Sequence, residues 1–176
     1  MVPPRPQLTE AQLAAWRAFV RAQALVLEVL ARELEEERGM PLPFYDVLVH
    51  LSEAPEGRLR MRELAGAVLL SRSGLTRLVD RMEQAGYVTR EACPSDRRGS
   101  YATITEAGLR ALADAWPVHA RGVLEHFAGP LDEPELAVLR DALGRIADTV
   151  ASRGCGPCDE DEALTVAGGV PPSVAG

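Results

Sequence analysis

Residues Arg60 to Glu106 read RMRELAGAVLLSRSGLTRLVDRMEQAGYVTREACPSDRRGSYATITE, and this stretch decides the fold. Its first part, Glu63 to Val68, has Leu64, Ala65 and Val68 on one side of a short helix, with small Ala65 and Gly66 for a close neighbour. Leu69 and Leu70 are expected to fill the turn that follows. Ser71 is a strong N-cap, because its hydroxyl accepts from a free amide of the first helical turn. The second helix then runs from Arg72 to about Ala85 and stops at Gly86. Leu75, Leu78, Val79 and Met82 recur at the helical interval and mark its buried stripe. The opposite face carries Arg72, Ser73, Thr76, Arg77 and Asp80.

A hairpin comes next. Tyr87 to Ala92 reads as a strand, Cys93 to Ser100 as a loop, and Tyr101 to Thr105 as the return strand. Helix, turn, helix and arginine-tipped hairpin in that order predict a winged helix-turn-helix, which lays its second helix in the major groove and its hairpin beside it. Candidate DNA contacts are Ser71, Arg72, Ser73, Thr76, Arg77 and Arg81 on the second helix, and Asp96, Arg97 and Arg98 in the wing. Arginine bridges two acceptors of guanine, and hydroxyls bond bases or backbone. An arginine-bearing wing tip suits a narrow minor groove. Asp96 is expected to fix that tip by accepting from Arg98 or from the loop backbone. An arginine-rich helix face by itself is commonly just solvated; joined to the hairpin it is far more specific.

Charge is unevenly placed. The chain of 176 residues carries a formal net charge of -7, and all 19 of its basic residues are arginine. Residues 58–98 hold nine arginines against five acids, a surplus of four, so the remainder carries -11. An acidic chain with one basic module binds DNA in one orientation. A hydrophobic fraction of 47% fits a globular protein. Charges interrupt every helix candidate, so none is expected to span a bilayer. The N-terminal MVPPRPQLTEAQ lacks an apolar signal core, which predicts a cytoplasmic protein.

The flanks are helical. Residues 1–8 form a proline-rich extended arm. Thr9 and Gln12 make a capping-box pattern that starts a long helix ending near Arg38 at Gly39, and 9–42 is read as a dimerisation segment. Its apolar positions are Leu13, Trp16, Val20, Leu27, Leu30 and Leu34. A second helix, about Pro43 to Glu53, should bury Phe44, Val47, Leu48 and Leu51 and leave Tyr45 and His50 off the stripe. Arg58 to Met61 offers a short extra strand, and 43–106 makes the DNA-binding lobe. Thr105 caps the next helix, which carries Leu109, Leu112, Trp116, Val123 and Phe127, should bend at Pro117, and ends at Gly129-Pro130. Asp132 caps the last one, whose Leu136, Leu139, Leu143, Ile146 and Val150 form a near-heptad stripe. Residues 107–153 are therefore read as C-terminal dimerisation helices. The predicted dimer seam draws on Leu13, Trp16, Val20, Leu136, Leu139, Leu143 and Ile146. Two wings on one dimer read half-sites about 34 Å apart. The fold class is mainly α: a winged helix-turn-helix with flanking dimerisation helices and a small β-hairpin.

The run LSRSGLTRLVDRMEQAGYVTRE, with PSDRRGSYATITEAG after it, resembles the multiple antibiotic resistance regulator (MarR) family of bacterial transcription factors. The matching marks are the hydroxyl-rich second helix, its exit Glu83-Gln84-Ala85-Gly86-Tyr87-Val88, the wing triplet Asp96-Arg97-Arg98, and Ile104-Thr105-Glu106-Ala107-Gly108 opening the next helix. Flanking helices match in order and length, so the resemblance covers about Thr9 to Ala151. It implies a homodimer on a palindromic operator, commonly released by a small aromatic ligand or by thiol oxidation, and acting as a repressor. It also implies that Arg98 is the minor-groove arginine, that Asp96 orients it, and that Ser73, Thr76 and Arg77 face the major groove. The family's ligand pocket lies where the dimer helices meet the DNA-binding lobe. Trp16, Phe19, Phe44, Tyr45 and His50 are candidates to line it, and each serves equally well as a core aromatic.

Residues 154–176 are acidic, then rich in Gly, Pro and Val, and read as a disordered tail. The tail holds Cys155-Gly156-Pro157-Cys158. Thioredoxin-like chemistry needs that pair at a helix N-terminus after a strand, and the acids that follow here raise a thiol pKa. One Cys-x-x-Cys is also only half a zinc site. A passive tail is favoured. The alternatives are a redox- or metal-responsive regulator switched through Cys155 and Cys158 and, further off, a thiol-disulfide oxidoreductase. There is no nucleophile-base-acid set and no glycine-rich phosphate loop, and His50, His119 and His126 are scattered. No enzyme activity, cofactor or metal is expected.

Overall fold

The N-terminal helix, α1 (Glu10–Arg38), begins as the capping pattern predicts: the Thr9 hydroxyl accepts from the Gln12 amide at 3.2 Å, and the Gln12 side chain accepts from the Thr9 amide at 2.9 Å. It ends at Gly39, whose φ of 59° places the chain in the left-handed region that closes helices. The computed structural model describes residues 7–68, 70–93 and 96–154; for Arg72, Cys93, 96–99 and 153–154 it describes the backbone alone. The expected N-terminal arm lies largely outside the described residues, and the Cys155–Cys158 tail wholly so. Helix α1 has two parts. Leu30 and Leu34 near its end are buried, whereas Trp16, Phe19, Val20 and Leu27 stand exposed.

α2 (Leu42–Glu53) buries Phe44, Val47, Leu48 and Leu51, as its spacing predicts. Tyr45 departs from expectation: it is 3% exposed, because α5 covers that side of α2 and brings His119 against its ring. β1 (Arg58–Arg60) and α3 (Met61–Ala67) follow, then α4 (Arg72–Gln84). Leu75, Leu78, Val79 and Met82 of α4 are all buried. Two finer expectations fail in the turn between α3 and α4. Leu70 is exposed instead of filling the turn, while Leu69 lies outside the described residues; a β-carbon on Gly66 would meet open space, so no helix presses on Gly66, although Ala65 is buried.

β2 (Val88–Cys93) and β3 (Asp96–Ile104) form the hairpin, and β1 joins its other side to give an antiparallel sheet of order β1-β3-β2. Arg60 pairs with Tyr101, and Val88 with Ile104. The return strand is longer than the sequence suggests. It starts at Asp96, opposite Cys93, with an irregular register between Ala92 and Cys93. Arginine, glycine and serine at 97–100 are weak strand formers, so local propensity reads them as loop; pairing across the hairpin overrides it.

α5 (Glu106–Val123) is capped by Thr105, which accepts from the Gly108 amide at 3.0 Å. Pro117 sits within it, and the helix runs on into a π-helical turn at Leu124–Ala128 before Gly129. Asp132 and Glu135 then exchange side-chain and backbone bonds of 2.8 and 2.9 Å to open α6 (Glu133–Gly154). The core is continuous from Leu34 through α2, α3, α4 and Val88 to Leu112, Ala115 and Val118 of α5. Gly122 is where α1 and α5 cross: a β-carbon there would lie 2.5 Å from Leu30 Cδ2 and 2.8 Å from Glu33 Oε2. The acids at the end of α1 serve this crossing. Glu33 meets His126 at 2.7 Å and Glu37 pairs with Arg121, both from the α5 side. Among the described residues, none of α6 is buried within the chain.

Candidate nucleic-acid interface

Ser71 caps α4 as predicted, accepting from the Gly74 amide at 3.1 Å, and its hydroxyl lies 3.3 Å from that of Ser73. With the buried stripe of α4 locked into the core, the other face must point outward, and Ser73, Thr76 and Arg77 are exposed there together. Arg77 makes no ion pair or hydrogen bond among the described residues, so its five donors are available to a partner. Arg81 lies differently. Its guanidinium carbon sits 5.5 Å from the centroid of Phe44, which draws it round the helix toward α2. The side chains of Arg72, Asp96, Arg97 and Arg98 lie outside the described set; the backbone places 96–98 at the start of β3, at the tip of the hairpin.

Several arginines counted in the basic stretch are used inside the lobe. Arg58 pairs with Glu56 and lies 3.6 Å from Glu91. Arg58 and Arg60 both stand over the Tyr101 ring, at 5.2 and 5.7 Å, and Arg60 Nε donates to Tyr101 Oη at 3.2 Å. The Arg60 amide donates to Glu63 at 3.1 Å, which ties β1 to the first turn of α3. Arg90 on β2 reaches across to α4: Nη1 is 2.6 Å from Asp80 Oδ1, and Nη2 donates to the Thr76 carbonyl at 2.9 Å. Apart from Glu56 beside Arg58 and Glu63 three residues after Arg60, these partners are distant in sequence, so no spacing rule points to them. The one available signal is the pairing of opposite charges in a short module.

The candidate ligand residues divide. Phe44 and Tyr45 are core side chains, with Phe44 edge-on to Tyr87 at 6.3 Å, and His50 is half-buried. Trp16 and Phe19 touch each other at 6.1 Å on the exposed part of α1. At about 1.5 Å of rise per residue, Trp16 lies roughly 21 Å along the helix from Leu30, so one chain does not bring the five together. Sequence reasoning missed His119, which stacks on Tyr45 at 4.3 Å with Trp116 beyond it at 6.5 Å. Tyr45 Oη and His119 Nδ1 are both buried without a hydrogen-bond partner among the described residues. Burial, followed by the charges of Asp46 and Glu53, holds the Tyr45 phenol well above its ordinary value. Burial also raises the Asp46 carboxyl, against the opposing pull of His50.

The geometry is that of a hydroxyl- and arginine-bearing helix beside a β-hairpin, and comparison with known proteins settles its family. Residues 38–99 match the family model described as MarR family. The fold aligns with AbsC, a MarR family transcriptional regulator from Streptomyces coelicolor, at 37% identity over 84% of this chain and 99% of that one, with a TM-score of 0.77. This chain belongs to the MarR family. A second MarR regulator of Streptomyces coelicolor, Sco3205, solved in complex with DNA, aligns at 35% identity over 82% of this chain and 94% of its own, also with a TM-score of 0.77. Among curated proteins, the HTH-type transcriptional regulator YkoM of Bacillus subtilis is 28% identical over 77% of this chain and 87% of its own length. The protein is accordingly a DNA-binding transcriptional regulator. Its relatives are regulators and not enzymes, which sets aside the oxidoreductase reading of Cys155 and Cys158. No helix among the described residues is long and apolar enough to cross a membrane.

Proposed function

We propose that this MarR protein is a cytoplasmic repressor that binds a palindromic operator as a homodimer and is released by a small aromatic ligand. The observation that carries the DNA side of this reading is the exposed set Ser73, Thr76 and Arg77 on α4, next to a hairpin whose tip bears Arg97 and Arg98. In this reading Ser71, Arg72, Ser73, Thr76, Arg77 and Arg81 meet the major groove and its phosphates. Arg98, oriented by Asp96 and flanked by Arg97, enters the minor groove.

The dimer is supported by large apolar side chains left uncovered at both ends of the chain: Trp16, Phe19, Val20 and Leu27 on α1, and Val138, Ile146 and Val150 on α6. Monomers rarely expose apolar surface on this scale. Residues 9–42 and 107–153 then form the dimerisation part and 43–106 the DNA-binding lobe. Leu13, Leu136, Leu139 and Leu143 join the seam. The effector reading is supported by the adjacent buried polar atoms of Tyr45 and His119 at the junction of α2 and α5.

A gel shift on the DNA upstream of the protein's own gene tests this function, with wild type and Arg98→Ala compared under reducing and oxidising conditions. A salt-sensitive shift of wild type that Arg98→Ala weakens is the expected result. No shift on that fragment, nor on a random-sequence duplex library at low salt, overturns it. A shift lost on oxidation, and kept by Cys155→Ser, would instead favour a redox-responsive regulator.

A further inference from the structure

Asp80 occupies an unexpected place for a carboxylate. Ser73, Thr76, Arg77 and Asp80 are spaced i, i+3, i+4 and i+7, so Asp80 lies on the very face of α4 assigned to DNA. A bare carboxylate there faces two strands of phosphate. Its side chain is 46% exposed.

Arg90 answers that charge. From β2 its Nη1 pairs with Asp80 Oδ1 at 2.6 Å, and its Nη2 donates to the Thr76 carbonyl at 2.9 Å on the same face. Its Nε lies 3.4 Å from Glu83 Oε2, and its backbone amide donates to Glu83 Oε1 at 3.0 Å. The guanidinium therefore spans two turns of α4 from Thr76 to Glu83. It is spent on the helix and is not free to reach DNA, although it counts toward the basic stretch. Neighbouring Arg77 makes no competing bond to Asp80.

We infer that Arg90 is a positioning residue for DNA binding: it shields Asp80 from the phosphates and fixes the hairpin against the recognition helix. This rests on the reading that the Ser73–Arg77 face meets DNA. Arg90 touches no base or phosphate itself. The rival role for Asp80 is direct readout, since a carboxylate can accept from the cytosine amino group. The two roles predict opposite signs. A shielded carboxylate is a liability, so Asp80→Asn should bind at least as tightly as wild type. A base-reading carboxylate is an asset, so Asp80→Asn should bind more weakly and lose preference at one position.

The test is a double-mutant cycle on Asp80→Asn and Arg90→Gln, using the duplex that wild-type protein selects from a random-sequence library. Arg90→Gln should weaken binding about five- to tenfold at low salt, with the deficit narrowing as salt screens the exposed Asp80. Asp80→Asn with Arg90→Gln should recover most of that loss. Arg90→Lys should be intermediate, because an ammonium supplies the charge without the fork. A double variant no tighter than Arg90→Gln overturns the shield, as does an Arg90→Gln that binds like wild type. Should Arg90→Gln fold poorly, Asp80→Asn decides alone: binding several-fold weaker than wild type overturns the inference. Arg77→Ala separates the two levels. If it leaves binding unchanged, the DNA-facing assignment of α4 falls and the shield with it. If it weakens binding while the cycle shows no recovery, only the shield falls.

Discussion

Gly108 lies so close to the Tyr87 carbonyl oxygen that a β-carbon on it would overlap that oxygen and come within 3.0 Å of Ile104 Cγ1. Here the first turn of α5 rides directly on the exit of the recognition helix. Gly108→Ala should therefore lower stability by about 1–3 kcal/mol, because the fixed backbone of Tyr87 cannot yield as a side chain does. Urea denaturation would show it as a lower midpoint at unchanged slope; an unchanged midpoint would mean that α5 sits further from Tyr87.

Thr105 makes the same junction from the other side. Its hydroxyl accepts from the Gly108 amide and donates to the Gly86 carbonyl at 2.7 Å, at the point where Gly86 turns the chain with a φ of 75°. Thr105→Val keeps the shape and removes both bonds, which should cost about 1–2 kcal/mol. Thr105→Ser, which retains the hydroxyl, should recover most of it. Equal losses in the two variants would assign the effect to packing.

The pH dependence of stability should carry the signature of His119. Burial beside Tyr45 and Trp116 holds its imidazole below the ordinary value of 6.5. Between the lowered value and 6.5 the unfolded chain binds more protons than the native one. The stabilisation is thus complete above 6.5 and is lost as pH falls through that window. Asp46 acts in the opposite sense at lower pH, since its carboxyl is raised above 3.8. Comparing denaturation midpoints near pH about 7.5 and about 5.5 should show a smaller drop in His119→Phe than in wild type. Equal drops would mean that His119 titrates freely.

The elements of the DNA-binding lobe were legible because each is specified locally. Ser71 and Thr105 announce helix starts, and Leu75, Leu78, Val79 and Met82 can face only inward. What escaped the sequence is set by partners distant along the chain. Tyr45 is buried because His119, on another helix, stacks on it. Residues 96–100 belong to the strand because β2 pairs with both ends of the segment, Cys93 opposite Asp96 and Ala92 opposite Ser100, although their composition says loop. Arg90 counts as one more basic residue until its strand is laid beside Thr76, Asp80 and Glu83. Glu33 and Glu37 of α1 likewise meet His126 and Arg121 of their own chain, partners more than eighty residues away.

The two uncovered apolar faces make the strongest claim on a second copy of the chain. Ile146 and Val150 on α6 are 59% and 65% exposed, and Trp16 on α1 is 58% exposed. Among the described residues, none of α6 is buried, so a lone chain would leave this helix weakly anchored. If the proposed dimer forms through α6, Ile146→Glu together with Val150→Glu should sediment as a monomer where the wild type sediments as a dimer. A monomer holds one recognition helix, so the gain from occupying two half-sites at once should vanish and operator affinity should fall by about 100-fold or more. The core runs from Leu34 through the recognition lobe to Val118 and takes in no residue of α6, so the lobe should keep its fold in the variant, with weak residual binding that remains sensitive to Arg77→Ala. A variant that stays dimeric would remove α6 from the interface and leave the exposed face of α1 as the seam.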